Sequence, residues 1–351
     1  MTAGRSIVIF GAGAVGGYLG AKLILGDSAG AIALVSRQSV VEAVRSEGLR
    51  LREAGESKVA RPMATSSAAD LPPCDLVILT VRAYDVERSL PEVRALLDDG
   101  GLLLAMQNGV GSEELLADAF GRDRVLAGAL TASAGMEQPG IITRYSKQGG
   151  VALSTMSGAP VPRWISAAFQ DTGLPTIILA DYRSLRWSKL LLNMIGAATT
   201  AILDIDMTTL VNNADLFRVE QLAFREAVRV IDAQHIQTVR LPGYPVPLMR
   251  LVMKLPRRLA RRLLGPRIGA ARGGRAPTMR ADMARGRTEV TFLNGAVAEA
   301  AYRLGIRAPV NAALSTLTLE LSQHPERREE FSGRPDALLD YIDSRFKRGA
   351  P

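Results

Sequence analysis

The sequence predicts a two-domain protein, with an N-terminal α/β domain around a mostly parallel, doubly wound sheet and an all-helical C-terminal domain. Strand-like and helix-like segments alternate over residues 1–180, and the strand-like segments are continuously apolar, as in sheets that are buried on both faces. Helical patterns dominate residues 181–351, so we place the domain boundary near residue 181. A chain of 351 residues is long enough for about two such domains.

The elements follow from hydrophobic spacing and turn signals along the chain. Continuous apolar runs predict strands at 7–10, 32–35, 75–81, 101–106 and 175–180. Helical spacing between them predicts helices at 13–25, 39–48, 83–97 and 166–173. Short strands with glycine turns, which predict an antiparallel extension of the sheet, lie at 125–134, 141–145 and 150–155. In the second domain we expect helices at 182–203, 215–236, 287–304 and 309–323.

The cysteine and histidine content restricts the chemistry. Cys74 is the single cysteine, so no disulfide can form within the chain, which is typical of a reducing compartment. The only histidines, His235 and His324, are far apart in sequence, and this disfavours a zinc site; we predict no metal. The most apolar long stretch, 190–203, is interrupted by polar residues and is shorter than a membrane span. We therefore expect no integral membrane segment, no targeting segment and a cytoplasmic location.

The net charge of +8 comes from one basic insert at about 240–277. No acidic residue lies between Asp232 and Asp282, whereas this interval contains eleven basic residues: Arg240, Arg250, Lys254, Arg257, Arg258, Arg261, Arg262, Arg267, Arg272, Arg275 and Arg280. The rest of the chain is therefore slightly acidic. Residues 247–264 have helical periodicity.

The insert has several interpretations. We favour an arginine-rich pair of surface helices or a homodimer contact over a cationic lid that attracts an anionic substrate. Contact with a membrane surface through 247–264 stays open, although this segment has no Trp or Phe. We do not expect nucleic-acid binding, because the segment lacks interleaved aromatic residues and known motifs.

A glycine-rich loop follows the first strand and opens the first helix. The GxGxxG pattern consists of Gly11, Gly13 and Gly16, which would allow a sharp turn, close backbone approach to a pyrophosphate, and close helix–strand packing. The free N–H groups at the start of the helix would hold phosphates. This context predicts a Rossmann-like dinucleotide site, with a bare structural turn as the alternative. The cofactor-binding residues of this loop are Gly11, Ala12, Gly13, Ala14, Val15 and Gly16.

The end of the second strand favours NADP over NAD. An NAD site has an acidic residue there for the ribose hydroxyls, but this chain has Ser36 and Arg37. An arginine can pair with the 2′-phosphate of NADP and stack on adenine. The alternative is that Arg37 is a solvated loop residue.

Further candidate side chains lie at sheet-end loops and on the first helix of the second domain. Arg82 and Asn108 follow predicted strands, where doubly wound folds bind ligands, although an Asn-Gly turn also explains Asn108. Lys189 and Asn193 are spaced i,i+4 and share one helix face. Lys189 lies among apolar residues, which is typical either of a lysine extending along a helix edge to solvent or of one held near a cleft. Glu289 is either a site residue or a solvated glutamate.

Taken together, these motifs resemble the ketopantoate reductase (2-dehydropantoate 2-reductase) family. The resemblance rests on FGAGAVGGYLG, TVRAY, MQNGVGSEELL, RWSKLLLN and MRADMARGRTEVTFLNG, which occur in the family's order over roughly residues 6 to 320. It implies a Rossmann domain (1–180) and a helical domain (181–351) like the C-terminal domain of 6-phosphogluconate dehydrogenase. It also implies NADPH-dependent reduction of a 2-oxo acid, on the pantothenate route to coenzyme A.

The resemblance also implies roles for individual residues. Lys189 matches the catalytic lysine, which acts as general acid, and Glu289 matches a glutamate near the lysine and the cofactor. Asn193 and Asn108 match amides that hold the substrate, and Thr278 stands where the family usually has a substrate-binding serine. Arg82, Asn108, Ala134 and Glu289 fall at cofactor-contact positions.

This chain departs from the family pattern at three places. Arg82 replaces a usual lysine, Ala197 replaces a common second asparagine, and one residue is missing between Asp282 and Glu289. The expected activity is that of an NADP-dependent oxidoreductase that acts on CH–OH groups, of the 2-dehydropantoate 2-reductase type. Because of these departures we keep two alternatives to it. One is a non-catalytic NADP-binding regulator, and the other is a related dehydrogenase for another oxo acid or an opine.

Overall fold

The computed structural model describes residues 5–26, 30–270 and 278–347 and divides the chain into two compact units. The first unit comprises 1–107, 111–186 and 241–244, and the second comprises 108–110, 187–240 and 245–351. The main change of unit therefore falls after Arg186, and two short segments belong to the unit opposite to their sequence neighbours.

The first unit contains strands and helices in alternation. Its strands are β1 (Ile7–Phe10), β2 (Ile32–Val35), β3 (Leu49–Glu53), β4 (Glu56–Ala60), β5 (Met63–Thr65), β6 (Cys74–Leu79), β7 (Leu97–Ala105), β8 (Val125–Leu130), β9 (Ala134–Gln138), β10 (Ile141–Arg144), β11 (Val151–Thr155) and β12 (Thr176–Ile178). Its helices are α1 (Ala14–Leu25), α2 (Gln38–Glu47), α3 (Val86–Leu96), α4 (Ser112–Phe120) and α5 (Arg163–Asp171).

The main sheet confirms the predicted α/β class. Within the described residues it has eight strands in the order β12-β11-β8-β7-β6-β1-β2-β5, and every neighbouring pair is parallel except β8 with β11. Strand β1 lies between β2 and β6 and is parallel to both. Strand β2 follows on one side of β1 and the later strand β6 on the other, so the order in which strands are added to the sheet changes direction at β1. In doubly wound sheets this reversal is the point where ligands bind, outside the carboxyl ends of the strands.

The predicted antiparallel extension is correct only in part. Strand β8 joins the main sheet parallel to β7, and β11 pairs antiparallel with β8. Strands β9 and β10 instead form a separate sheet in the order β4-β3-β10-β9, which packs on α1. This second sheet depends on the parallel pairing of β10 with β3, a long-range contact that local hydrophobic spacing does not reveal.

The second unit is helical, as predicted. Its helices are α6 (Tyr182–Met194), whose first five residues belong to the first unit, α7 (Ala197–Leu203), α8 (Met207–Asn212), α9 (Ala214–Ala233), α10 (Val246–Lys254), α11 (Arg257–Ala270), α12 (Thr278–Met283), α13 (Asn294–Arg303), α14 (Pro309–Gln323) and α15 (Pro335–Lys347). Residues 271–277 of the basic insert lie outside the described residues.

Two predicted helix spans are wrong in detail. The helix expected over 182–203 is two helices, because Gly196 takes the left-handed conformation (φ 69°) and caps α7. A side chain on Gly196 would also meet Met207 Cε at 2.7 Å. The helix expected over 287–304 begins only at Asn294 and is preceded by a 3-10 turn at Val290–Phe292.

Candidate functional site

The glycine loop joins β1 to α1 under tight packing constraints. Gly11 has φ 96°, and a Cβ atom there would lie 2.8 Å from the Val81 backbone nitrogen. A Cβ atom on Gly16 would lie 2.8 Å from Gly11 O and 3.0 Å from Ile9. Both positions therefore need glycine for the turn and for the close contact of helix and strand.

Gly13 differs from its neighbours because the described residues leave the space beside it open. Among them, a Cβ atom on Gly13 would meet only Gly11 O, at 3.9 Å. Gly13 is the N-cap of α1, and the first turn of this helix contains no acidic residue. The unpaired N–H groups of a helix start attract anions, so the open side of Gly13 suits the phosphates of a dinucleotide.

The loop is tied to the end of β2. Val35 O accepts hydrogen bonds from the backbone nitrogens of Gly11 at 2.9 Å and Ala12 at 3.2 Å, and Ser36 Oγ donates to Ala12 O at 3.4 Å. Arg37 comes next and is the N-cap residue of α2. Its side chain is exposed and has no hydrogen bond or ion pair within the described residues. The sheet thus brings the predicted Arg37 segment beside the glycine loop.

The end of β6 also supports the loop. Thr80 Oγ1 donates to Gly11 O at 2.8 Å and to Phe10 O at 3.1 Å. Arg82, two residues later, is half-buried and precedes a 3-10 turn at Ala83–Asp85. Ala134 begins β9, in the sheet that packs on α1.

Asn108 and Asn193 meet within the second unit. Asn193 Nδ2 donates a hydrogen bond of 2.8 Å to Asn108 Oδ1, although 85 residues separate them. Both side chains are half-buried. Lys189, also half-buried, lies one turn before Asn193 on α6.

The Asn-Gly turn packs closely against the segment that contains Glu289. Gly109 has φ 91°, and a Cβ atom there would lie 2.7 Å from Phe292 Cβ. Val110 N donates to Phe292 O at 3.1 Å, and Phe292 N donates to Glu289 O at 3.0 Å. Glu289 is 5 % exposed, which excludes the fully solvated glutamate considered from sequence. Three separate segments that contain predicted site residues are therefore joined in this unit.

Thr278 begins α12, but its side chain lies outside the described part of the chain. Among the described residues, no group of three His, Cys, Asp or Glu side chains is arranged to hold a metal ion. No helix in the described ranges is both long enough and apolar enough to cross a membrane.

Sequence reasoning missed a buried ion pair in the first unit. Arg186 Nε lies 2.8 Å from Glu113 Oε1, and these side chains are 2 % and 1 % exposed. Arg186 also donates to Gly128 O at 2.8 Å and to Gln107 O at 2.6 Å. Burial raises the pKa of Glu113 to about 7, and the guanidinium of Arg186 opposes this rise. Arg186 thus binds the backbone of Gln107, the residue that precedes Asn108. Nothing in the sequence signals this pair, because Arg186 and Glu113 both look like ordinary polar residues of a helix.

The family models match both parts of the chain. Residues 7–158 match the model "Ketopantoate reductase PanE/ApbA", and residues 181–322 match "Ketopantoate reductase PanE/ApbA C terminal". The 2-dehydropantoate 2-reductase of Halobacterium salinarum is 31% identical over 318 residues, which cover 89% of this chain and 97% of that protein.

Solved structures agree on the fold. A PanE/ApbA family ketopantoate reductase from Ralstonia eutropha is 25% identical, with a TM-score of 0.77 and coverage of 92% of this chain and 99% of that one. D-mandelate dehydrogenase in complex with NADH and anilino(oxo)acetate is 20% identical, with a TM-score of 0.76 and coverage of 91% and 99%, and shows a shared fold. The chain therefore belongs to the ketopantoate reductase PanE/ApbA family of oxidoreductases.

Proposed function

We propose that the protein is an NADPH-dependent reductase that converts 2-dehydropantoate to pantoate for pantothenate and coenzyme A synthesis. The observation that carries the proposal is the hydrogen bond between Asn108 and Asn193, one helical turn from Lys189. The proposal is supported because these two amides can hydrogen-bond an oxo acid and the Lys189 ammonium can stabilise its carbonyl oxygen. The 2-dehydropantoate 2-reductase name of the Halobacterium relative supports this substrate. A cytoplasmic location stays a prediction.

The residues of the glycine loop fit a dinucleotide. The open side of Gly13 and the start of α1 suit a pyrophosphate, and the exposed guanidinium of Arg37 suits a 2′-phosphate. When bound, NADPH supplies a hydride to the carbonyl carbon of the substrate. We assign Arg82, Asn108, Ala134 and Glu289 to further cofactor contacts, as the family resemblance implies.

We assign the proton transfer to Lys189. As hydride reaches the carbonyl carbon, the C=O bond becomes a C–O bond and negative charge develops on oxygen. The Lys189 ammonium donates a proton from Nζ to this oxygen and is left as a neutral amine, which regains a proton from solvent. Glu289 contributes a buried carboxylate that favours the charged form of the lysine. Asn108, Asn193 and Thr278 orient the substrate through hydrogen bonds.

A bulkier 2-oxo acid is the second candidate substrate. Ala197, at the start of α7, is 4% exposed and carries a methyl group where the family commonly has an amide. A smaller, apolar side chain at this position favours a larger apolar substituent on the substrate.

A substrate panel with both cofactors tests the proposal. Purified protein is mixed with NADPH or NADH and with 2-dehydropantoate, an aromatic 2-oxo acid or an imino acid, and cofactor oxidation is followed by absorbance. We expect the highest kcat/KM with NADPH and 2-dehydropantoate. A preference for the aromatic acid would favour the second substrate. Binding of NADPH in calorimetry without any turnover would instead favour a non-catalytic regulator and contradict the proposal.

A further inference from the structure

The two helices of the basic insert, α10 and α11, expose leucines to solvent. The exposed fractions are 56% for Leu248, 60% for Leu251, 50% for Leu259 and 45% for Leu263. Four such side chains within sixteen residues are unusual, because scattered single apolar residues are the norm on a protein surface. We call α10 and α11 together the cationic helix pair.

Loose attachment of the two helices does not explain why the leucines are exposed, because both helices are bound to α9. Arg250 pairs with Asp232 at 2.7 Å, and Arg257 pairs with Asp215 at 2.7 Å, both on α9. Gln221 Nε2, also on α9, donates to the carbonyls of Met253 and Leu255 at 2.9 Å each. The cationic helix pair is therefore held on α9 by its buried side, and the leucines belong to the opposite, outer side.

Three cations accompany these leucines without partners. The side chains of Lys254, Arg258 and Arg262 are exposed and have no hydrogen bond or ion pair within the described residues. No acidic residue lies between Asp232 and Asp282, so the sequence offers no local carboxylate to neutralise them. Charge and apolar surface are thus combined on the outer side of the pair.

The arrangement along α11 is that of an interfacial helix. At about 100° per residue, Leu259 and Leu263 lie about 40° apart around the helix axis, and Arg262 lies about 60° to one side of Leu259. Arg267 lies about 40° beyond Leu263 on the other side. Leucines flanked by basic residues are the pattern of helices that lie in the surface plane of a bilayer.

We propose that the cationic helix pair docks on the surface of a bilayer that contains anionic lipids. Basic side chains suit anionic headgroups, and the leucines reach the acyl boundary between them. A second copy of this chain fits less well, because two such faces would bring like charges together. Nucleic acid would satisfy the cations but leave the leucines exposed. The inference does not depend on the proposed reductase activity.

Vesicle co-sedimentation tests this inference. The probes are vesicles of phosphatidylcholine alone and vesicles of phosphatidylcholine with phosphatidylglycerol, at physiological ionic strength. We expect binding to the anionic vesicles only. Each basic residue near such a surface contributes about fivefold to partitioning, so the triple variant Lys254→Gln, Arg258→Gln, Arg262→Gln should bind about 100-fold more weakly. The variant Leu259→Gln, Leu263→Gln should also lose binding, while circular dichroism confirms that both variants fold.

A matched control separates local docking from net charge. Arg61, Arg88 and Arg163 are exposed basic residues of the first unit, and their triple replacement by Gln removes the same charge. We expect this control to bind within about fivefold of the wild type. Three results would overturn the proposal: equal loss of binding in the control, undiminished binding of the leucine variant, or no binding to anionic vesicles. A dimer that dissociates in the leucine variant, without vesicle binding, would assign the pair to an interface between copies.

Discussion

Asn108 accepts a hydrogen bond of 2.8 Å from Asn193, and this pair joins the Asn-Gly turn to α6 in the second unit. The turn interpretation and the binding interpretation of Asn108 are therefore compatible. Gly109 makes the turn with φ 91°, while the Asn108 side chain remains available to orient Asn193. Neither role requires the other to be absent.

Replacing Asn193 with Ala tests whether this pair binds substrate. We expect kcat/KM to fall about 10- to 100-fold, because a hydrogen bond to a charged group contributes about 1.5–3 kcal/mol. Steady-state kinetics measures this effect. The matched control is Asn212→Ala, which removes an exposed amide from the same unit and should leave kcat/KM unchanged. If Asn193→Ala lowers stability but not kcat/KM, the pair is only structural.

Replacing Arg37 with Asp tests the cofactor preference. The exposed guanidinium has no partner within the described residues, and a carboxylate in its place repels a 2′-phosphate and accepts hydrogen bonds from the ribose hydroxyls. We expect NADPH affinity to fall at least about tenfold and NADH affinity to rise. Fluorescence titration with each cofactor measures both changes. Arg88→Asp, on α3, is the control, and an unchanged ratio of affinities for Arg37→Asp would exclude the assigned contact.

Two alanine variants distinguish the roles of the glycines. Gly13→Ala should leave the free energy of unfolding nearly unchanged, because in the described part of the chain the nearest atom to its Cβ lies 3.9 Å away, but it should weaken dinucleotide binding. Gly16→Ala should destabilise the protein by about 1–3 kcal/mol, because its Cβ atom overlaps the loop and β1. Urea unfolding and cofactor titration on both variants measure this difference. Normal dinucleotide affinity in Gly13→Ala would argue against phosphates at this position.

The buried pair of Arg186 and Glu113 predicts a pH-dependent effect. Arg186→Met should destabilise the protein by about 3–5 kcal/mol, because it leaves a buried carboxyl group and two carbonyls without their partner. A raised pKa in the folded state means that folding favours the protonated form of Glu113. The stabilisation that comes from protonated Glu113 is complete below the unfolded-state pKa of 4.5, and it is lost as the pH rises through the folded-state pKa of about 7.

Arg186 lowers the pKa of Glu113, so removing Arg186 raises this pKa further. The loss of folding stability with rising pH then continues to a higher pH than in the wild type. We therefore expect Arg186→Met to be more destabilising at pH 8 than at pH 6 in urea unfolding. The double variant Arg186→Met, Glu113→Gln should lack this difference, which separates Glu113 from other titrating groups. An equal penalty at both pH values in the single variant would contradict the assignment.

Local sequence signals predicted the features that depend on neighbouring residues. The run Ile7–Phe10 followed by GxGxxG predicted β1, the turn and α1, since buried strands and glycine turns are visible within a short window. The spacing of Lys189 and Asn193 predicted a shared helix face. The family and the α/β-plus-helical fold were also predicted correctly.

Features that depend on distant contacts were not predicted. The second sheet requires β10 to pair with β3 across about ninety residues, and β3 and β4 were missed altogether. The break at Gly196 was missed because a single glycine inside a helical pattern is usually tolerated. The partners of Arg186 lie on α4, after β7 and on β8, and no spacing rule connects them.

The central claim is that Lys189 donates the proton that accompanies hydride transfer. The direct measurement is kcat/KM for NADPH-dependent reduction of 2-dehydropantoate by Lys189→Ala, with Lys254→Ala as the control lysine on the same unit. General acid catalysis contributes about 10²- to 10⁴-fold, so the account predicts a loss of this size in Lys189→Ala, with unchanged NADPH affinity and a fully active control. A kcat/KM equal to that of the wild type in folded Lys189→Ala would contradict it.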